Sequence, residues 1–312
     1  MNTLKCLAAA TVLALTASTA MAEGKVERVG ITVGTLGNPF FVPLVAGAKD
    51  TILKVNPKAE LTVVGADYDL NKQASQIDNF IASGVQLIML NAVDVNAIAP
   101  AVAKAKAAGI TIGAFDVSAK GADVTVMTNN VQAGDIACDF LAKRIDGKGE
   151  VVIINGPPVS SIVDRVEGCK AAFGRYPDIK ILSDNLDGKG SREGGFAAMQ
   201  GLLTRFPKID AVFGANDPTA LGADLAAKQL NRDEMIIAGV DGAPDVVAAL
   251  KSGTTRIVAS SSQDPYGMAA QATQLALDVI DGKTPKENVI LLDTKLVTGD
   301  NVAEYVGWDA VR

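Results

Sequence analysis

The sequence predicts an α/β protein of two similar doubly wound parallel-sheet lobes, joined by a multi-strand hinge with a ligand cleft between them. Three observations carry that expectation. Short apolar runs alternate with helix-period segments along most of the 312 residues, the pattern of parallel sheets with helices on both faces. Polar residues end matched runs in the two halves at equal spacing. No low-complexity linker divides the halves, so several short crossings should join them and act as a hinge.

The apolar runs cover 29–33, 61–64, 87–90, 110–115, 124–127, 151–154, 179–182, 211–213, 236–240 and 257–259. Helices are expected near 43–54, 71–83, 95–108, 131–145, 161–174, 191–205, 217–229, 244–251 and 265–281. Gly84, Gly109 and Gly253 sit where residues past a helix end are expected. After Gln263-Asp264-Pro265, one more helix and one more strand should follow. The expected N-terminal lobe is 23–129 plus 264–293, and the C-terminal lobe is 130–263 plus 294–312, with Asn129-Asn130 a plausible crossing.

Composition narrows the function. The chain is 48% hydrophobic and 21% charged, as in proteins that bury a sizeable core. A net charge of −6 does not suggest nucleic acid or an anionic membrane as partner. The absence of histidine removes His-based triads, His general bases and most zinc sites. Neither a cofactor nor a metal is expected. Residues 1–22 read as an export signal: Lys5, an apolar core over 7–17, and Ala20-Met21-Ala22 as an A-x-A cleavage site. That core is too short to span a bilayer. The mature protein should begin near Glu23, outside the cytoplasm, and Cys6, which precedes the apolar core, does not suit a lipid anchor. Cys138 and Cys169 remain, either as a disulfide or as two small buried thiols.

The loop 34–43 follows the first run and places Asn38 beside Phe40 and Phe41. It falls at the carboxyl end of a strand, where open α/β sheets bind ligands. An amide with flat apolar faces suits a sugar; alternatively, both rings belong to the core. The internal repeat points the same way. Asn91 and Asp116 end two runs of the first half, while Asn216 and Asp241 follow two runs of the second, and 116 − 91 = 241 − 216 = 25. One such residue would read as a helix cap or turn former, but four in matched positions read as a ligand site.

Asn-Pro-Phe-Phe at 38–41, Asn91, Asp116, Ala-Asn-Asp at 215–217, Val-Asp-Gly-Ala-Pro-Asp at 240–245 and Gln263 together resemble the periplasmic ribose-binding protein family. These are type I solute-binding proteins of ABC sugar importers, built like the effector domains of LacI-type repressors. The resemblance covers nearly all of the mature chain. It implies sugar contacts at Asn38, Phe40, Phe41, Asn91, Asp116, Asn216, Asp241 and Gln263. It implies a sugar or polyol ligand, an ABC permease as partner and a monomer, with a chemotaxis receptor as a further candidate partner. Four positions depart from the family. Val117 and Val163 stand where ribose binders align arginines, Gly34 stands for a serine, and an aromatic is missing around 188–190. Arg165, Lys189 or Arg192 could replace a cation, although the simpler reading of Arg165 is an exposed helix residue. The ligand is therefore ribose, another pentose, a hexose or an open-chain polyol. Tyr68 and Tyr266 are candidate lining residues, each with a half-buried structural tyrosine as the simpler reading.

Two other classes compete. Asp116 and Asp241 could be a glycosidase pair, but neither a G-x-S-x-G elbow nor H-E-x-x-H is present. A non-transport sugar sensor or repressor remains, the latter requiring an N-terminal helix-turn-helix where the export signal stands.

Overall fold

A computed structural model describes residues 26–308. The expected export signal, with Cys6, lies outside the described residues. The first half runs β1 (Arg28–Val33), α1 (Phe41–Val55), β2 (Glu60–Gly65), α2 (Leu70–Ala82), β3 (Leu87–Leu90), α3 (Ala99–Ala107), β4 (Thr111–Phe115) and β5 (Val124–Thr128). The second half runs α4 (Asn130–Arg144), β6 (Lys148–Asn155), α5 (Ser160–Phe173), β7 (Asp178–Asp187), α6 (Arg192–Arg205), β8 (Ala211–Gly214), α7 (Asp217–Gln229), β9 (Ile236–Asp241), α8 (Pro244–Ser252) and β10 (Ile257–Ser262). Helix α9 (Pro265–Ile280) and strands β11 (Val289–Leu292) and β12 (Leu296–Thr298) follow.

The strands form two sheets of the same order. The first is β11-β5-β4-β3-β1-β2 and parallel throughout. The second is β12-β10-β9-β8-β6-β7, parallel except for β12, which runs antiparallel to β10 with Ala259 opposite Thr298. Strand order therefore reverses between β1 and β3 in one sheet and between β6 and β8 in the other. In open sheets of this kind the crevice opens at such a reversal, beyond the carboxyl ends of the strands. Each expected run lies in a strand, except that Ile110 falls just before β4. The central ones, such as Leu87–Leu90 and Ala211–Gly214, are buried at every position, as strands covered by helices on both faces must be.

Five of the described helices start where a side chain satisfies one of their first N–H groups. Asp69, Asn129, Ser191, Asn216 and Asp264 each accept from a backbone N–H three residues on. Gly253 ends α8 at φ 60°, a left-handed conformation that suits glycine. One expectation needs correction: two strands, not one, follow α9. Their signal is weak because Val289 and Leu291 are exposed at the sheet edge and β12 has three residues.

Among the described residues, three connections link strands of one sheet to strands of the other, at Asn129, at 263–264 and at 293–295. The crossings are bonded to one another. Thr128 donates to Gln263 Oε1 at 2.7 Å, Thr294 donates to the Ser262 carbonyl at 2.6 Å, and the Asn129 N–H donates to the Leu292 carbonyl at 2.8 Å.

Cys138 on α4 and Cys169 on α5 form a disulfide, with Cα atoms 5.0 Å apart. The two helices pack backbone to backbone: a Cβ at Gly134 would strike the Arg165 carbonyl, and one at Gly168 the Val131 carbonyl. Removing the cross-link frees a loop of 31 residues in the unfolded chain, a loss of about 3–4 kcal/mol on chain-entropy grounds. The double variant Cys138→Ala/Cys169→Ala should lower the urea midpoint accordingly, and an unchanged midpoint would contradict a stabilising bridge.

A polar cavity where the two sets of strand ends meet

The eight residues singled out in the sequence line one cavity of about 30 Å³. It opens toward a larger one of about 630 Å³ at the mouth of the cleft; Asn38, Tyr68 and Gly190 border both.

From the first sheet come Asn38 in the loop after β1, Asn91 immediately after β3 and Asp116 immediately after β4. The Asn91 amide ties these together. Its Oδ1 accepts the Gly34 N–H at 2.9 Å, across the point where strand order reverses, and its Nδ2 donates to Asp116 Oδ2 at 2.8 Å. Asn38 folds its own loop, accepting the Phe40 N–H at 3.0 Å. Phe40 and Phe41 meet edge to face at 5.6 Å and are 4% exposed each. They belong to the core around α1 and α9 and also border the cavity, so the two readings of the pair are not exclusive.

From the second sheet come Asn216 after β8, Asp241 at the end of β9 and Gln263 after β10. Asn216 is both cap and wall: its Oδ1 accepts from Thr219 N–H, and its Nδ2 donates to the Gly190 carbonyl at 3.0 Å. Asp241 Oδ1 accepts from Gln263 Nε2 at 2.7 Å and from Arg165 Nη1 at 3.3 Å. Gln263 thus joins Asp241 to Thr128 and the hinge.

Arg165 corrects two expectations. It is 3% exposed, not on the surface, and it lines the cavity, whereas Val163 is 43% exposed. The guanidinium is fixed by Asn130 Oδ1 at 2.9 Å and the Ala215 carbonyl at 3.0 Å. A sequence signal existed: Arg165 lies between Ile162 and Cys169 on the buried stripe of α5, where a surface arginine has no place. Lys189 and Arg192 border only the mouth, and Arg192 pairs with Asp245 at 2.7 Å.

Tyr68 likewise lines the cavity, while Tyr266 bonds Asp50 at 3.0 Å, outside the cavity lining. Tyr68 explains Gly34, since a Cβ there would lie 2.7 Å from the ring. Val117, 1% exposed, adds an apolar wall beside Asp116. Pro157, Val159, Ser161 and Ile162 also line the cavity and went unmarked in the sequence, as ordinary residues of a loop and a helix start.

The electrostatics follow from burial. Burial pushes the Asp116 carboxyl up to about 6; Arg165 opposes the rise and Asp241 adds to it. Burial also raises Asp241, while Arg165 and Gln263 pull it back. Asp217 sits behind it, fully buried and bonded to Ser260 Oγ and the Ala243 N–H at 2.7 Å each; burial, then the neighbouring Asp241, raises it. Tyr68 is raised by burial and by Asp116, so it stays a neutral phenol. Both sets of strand tips therefore present acceptors and amides that donate and accept, and α5 adds one fixed guanidinium.

Two parallel-sheet lobes with their strand tips around one polar cavity have the architecture of a two-lobed solute-binding protein. The periplasmic binding protein domain family matches residues 29–284, and the chain belongs to that family. It is 32% identical over 264 residues to a ribose import binding protein of Bacillus subtilis, covering 84% of each chain. It is 32% identical over 286 residues to a xylitol-binding protein of Mycolicibacterium smegmatis, covering 90% of this chain and 80% of the other. The structure superposes at a TM-score of 0.80 on an ABC transporter periplasmic solute-binding protein of Actinobacillus succinogenes with bound D-allose; the two are 29% identical over 89% of this chain and 100% of the other.

Arg165→Met leaves Asp241 and Asp217 buried without their cation, a loss of about 3 kcal/mol. Without the cation the folded pKa values of these carboxyls rise further above the unfolded value. Stability from such groups is present at low pH and lost as pH rises through the folded pKa. The deficit should therefore be larger near about pH 8 than near about pH 5 in urea titrations. An equal deficit at both would contradict the pairing.

Proposed function

We propose that this chain is an exported solute-binding protein that captures a monosaccharide or polyol between its lobes by hinge closure and delivers it to an ABC-transporter permease. The observation that carries this reading is the single cavity bordered by Asn38, Asn91, Asp116, Asn216, Asp241 and Gln263 with the rings of Phe40 and Phe41. Two carboxylates facing one guanidinium disfavour anions, whereas hydroxyls can donate to both carboxylates. Hydrogen bonds to charged groups contribute about 1.5–3 kcal/mol each. Apolar rings and Val117 suit the C–H faces of the same ligand. The named relatives, for ribose, xylitol and D-allose, support the ligand class.

A cavity of about 30 Å³ is far smaller than a small-molecule site. On this reading the lobes part at the three connections to admit the ligand, and a ligand bridging both lobes favours the closed state. The reading is of a binder and not an enzyme. Asp116 and Asp241 are oriented as acceptors by Asn91, Gln263 and Arg165, and the chain has no histidine to act as a base. Export rests on residues 1–22, with cleavage near Ala22 and a periplasmic mature protein. A monomer is sufficient for the mechanism, and a chemotaxis receptor is a further candidate reader of the closed form.

Calorimetry with D-ribose, xylitol and D-allose tests the reading. At least one should bind without turnover, and Asp116→Ala or Asp241→Ala should abolish detectable heat in a folded protein. Near-wild-type affinity in either variant would contradict the assignment.

Acidity gives a second test. The ligand's hydroxyls need the ionised Asp116 carboxylate, and the carboxyl titrates at about 6. Affinity should fall about tenfold from about pH 7 to about pH 5, and affinity that rises on acidification would contradict the role.

A further inference from the structure

The segment after β12 does not end in the second lobe. Val302 is anchored in that lobe's core with Leu250 and Val297, whereas Trp308 belongs to the core of the first lobe, edge to face with Phe40 at 5.7 Å. Between them the segment passes over the turn that carries Asp241. Tyr305 Oη donates to the Gly242 carbonyl at 3.2 Å, and Trp308 Nε1 donates to the carbonyls of both Asp241 and Gln263 at 3.2 Å each.

That turn needs holding. Asp241 has φ 140° and Gly242 φ 66°, so two consecutive residues lie in the region that favours glycine. A non-glycine residue persists in such a conformation where its surroundings over-determine it. The surroundings do so: the Gln263 N–H donates to the Asp241 carbonyl at 2.9 Å, the Gly242 N–H to Ser260 Oγ at 3.0 Å, and the tail closes the remaining side. A Cβ at Gly242 would strike Tyr305 Oη. Trp308 itself is absent from the cavity lining; it touches Phe40, Asp241 and Gln263, which are part of it.

We propose that Trp308 is a positioning residue for the ligand site. Its indole N–H fixes the backbone that aims Asp241 and Gln263 into the cavity, and its ring seats Phe40 of the opposite lobe. The C-terminal segment thereby couples the ligand contacts of one lobe to the docking of the other. This rests on the cavity being the ligand site, and the experiment separates the two claims.

Trp308→Phe keeps a ring against Phe40 and loses the N–H. In the ligand-free protein, hydrogen exchange by mass spectrometry reads the turn directly. The amides of Gly242 and Gln263 should exchange about tenfold faster than in the wild type, while those of β6 keep their rates. No change, or equal acceleration everywhere, overturns the proposal. For whichever of D-ribose, xylitol and D-allose binds the wild type, the variant's affinity should fall about tenfold. Unchanged affinity likewise overturns the proposal. The chain has one tryptophan, so wild-type emission reports residue 308 alone. It should change with added sugar along the calorimetric curve, and silent emission beside a measured heat contradicts the coupling. If none of the three sugars gives heat with the wild type, the ligand reading falls while the exchange result still decides the role of Trp308. Should Trp308→Phe fail to fold, Tyr305→Phe, which removes the hydroxyl donor to Gly242, carries the same exchange test at Gly242.

Discussion

A carboxylate taken out of water is costly unless donors surround it, and this protein does so at Asp116, Asp217 and Asp241, each at most 6% exposed. The donors are drawn from distant parts of the chain: Asn91 for Asp116; Ser260 and the Ala243 N–H for Asp217; Arg165 and Gln263 for Asp241. The rest of the site follows from that requirement. The hinge is tied to it because Gln263 also receives Thr128. Helix α5 is tied to it because Arg165 needs a fixed place, and Asn130 on α4, stapled to α5 by the disulfide, supplies it. Partners arranged in this way leave acceptor capacity directed into the space between the sheets.

The same requirement explains why two copies of one strand order serve better than a single sheet. Each sheet supplies an Asn and an Asp at the ends of adjacent strands, 25 residues apart in both halves. Each offers the Asn at its own reversal of strand order and the Asp one strand further on. One sheet presents one face to a ligand. Two sheets presenting matched tips can surround it, and parting them at three bonded crossings gives access. On the proposed reading, binding free energy acts on the angle between the lobes as well as on the contacts.

Much of the fold was legible because strands covered on both faces read as unbroken apolar runs, and the helices between them carry their caps in the sequence. Strands β11 and β12 were less legible, being short edge strands, β11 with exposed residues and β12 with only three residues. The polar strand ends were readable from their spacing alone. What escaped was tertiary. Arg165 looks like any helical arginine until its neighbours on the stripe are seen to be buried. Gly34 looks like a lost serine until Tyr68 is found occupying the space. Trp308 lies 67 residues from Asp241 in the chain, and no local pattern connects them. Cys138 and Cys169 could be paired only once the helices were seen to cross backbone to backbone.

On the proposed reading these lobes close on a small, uncharged, hydroxyl-rich ligand held between their strand tips. Small-angle scattering on the mature protein, with and without a saturating sugar that gives a calorimetric heat, tests it most directly. The radius of gyration should fall with the sugar, and should not fall when Asp241 is replaced by alanine. Identical curves for the wild type with and without a bound sugar would contradict it.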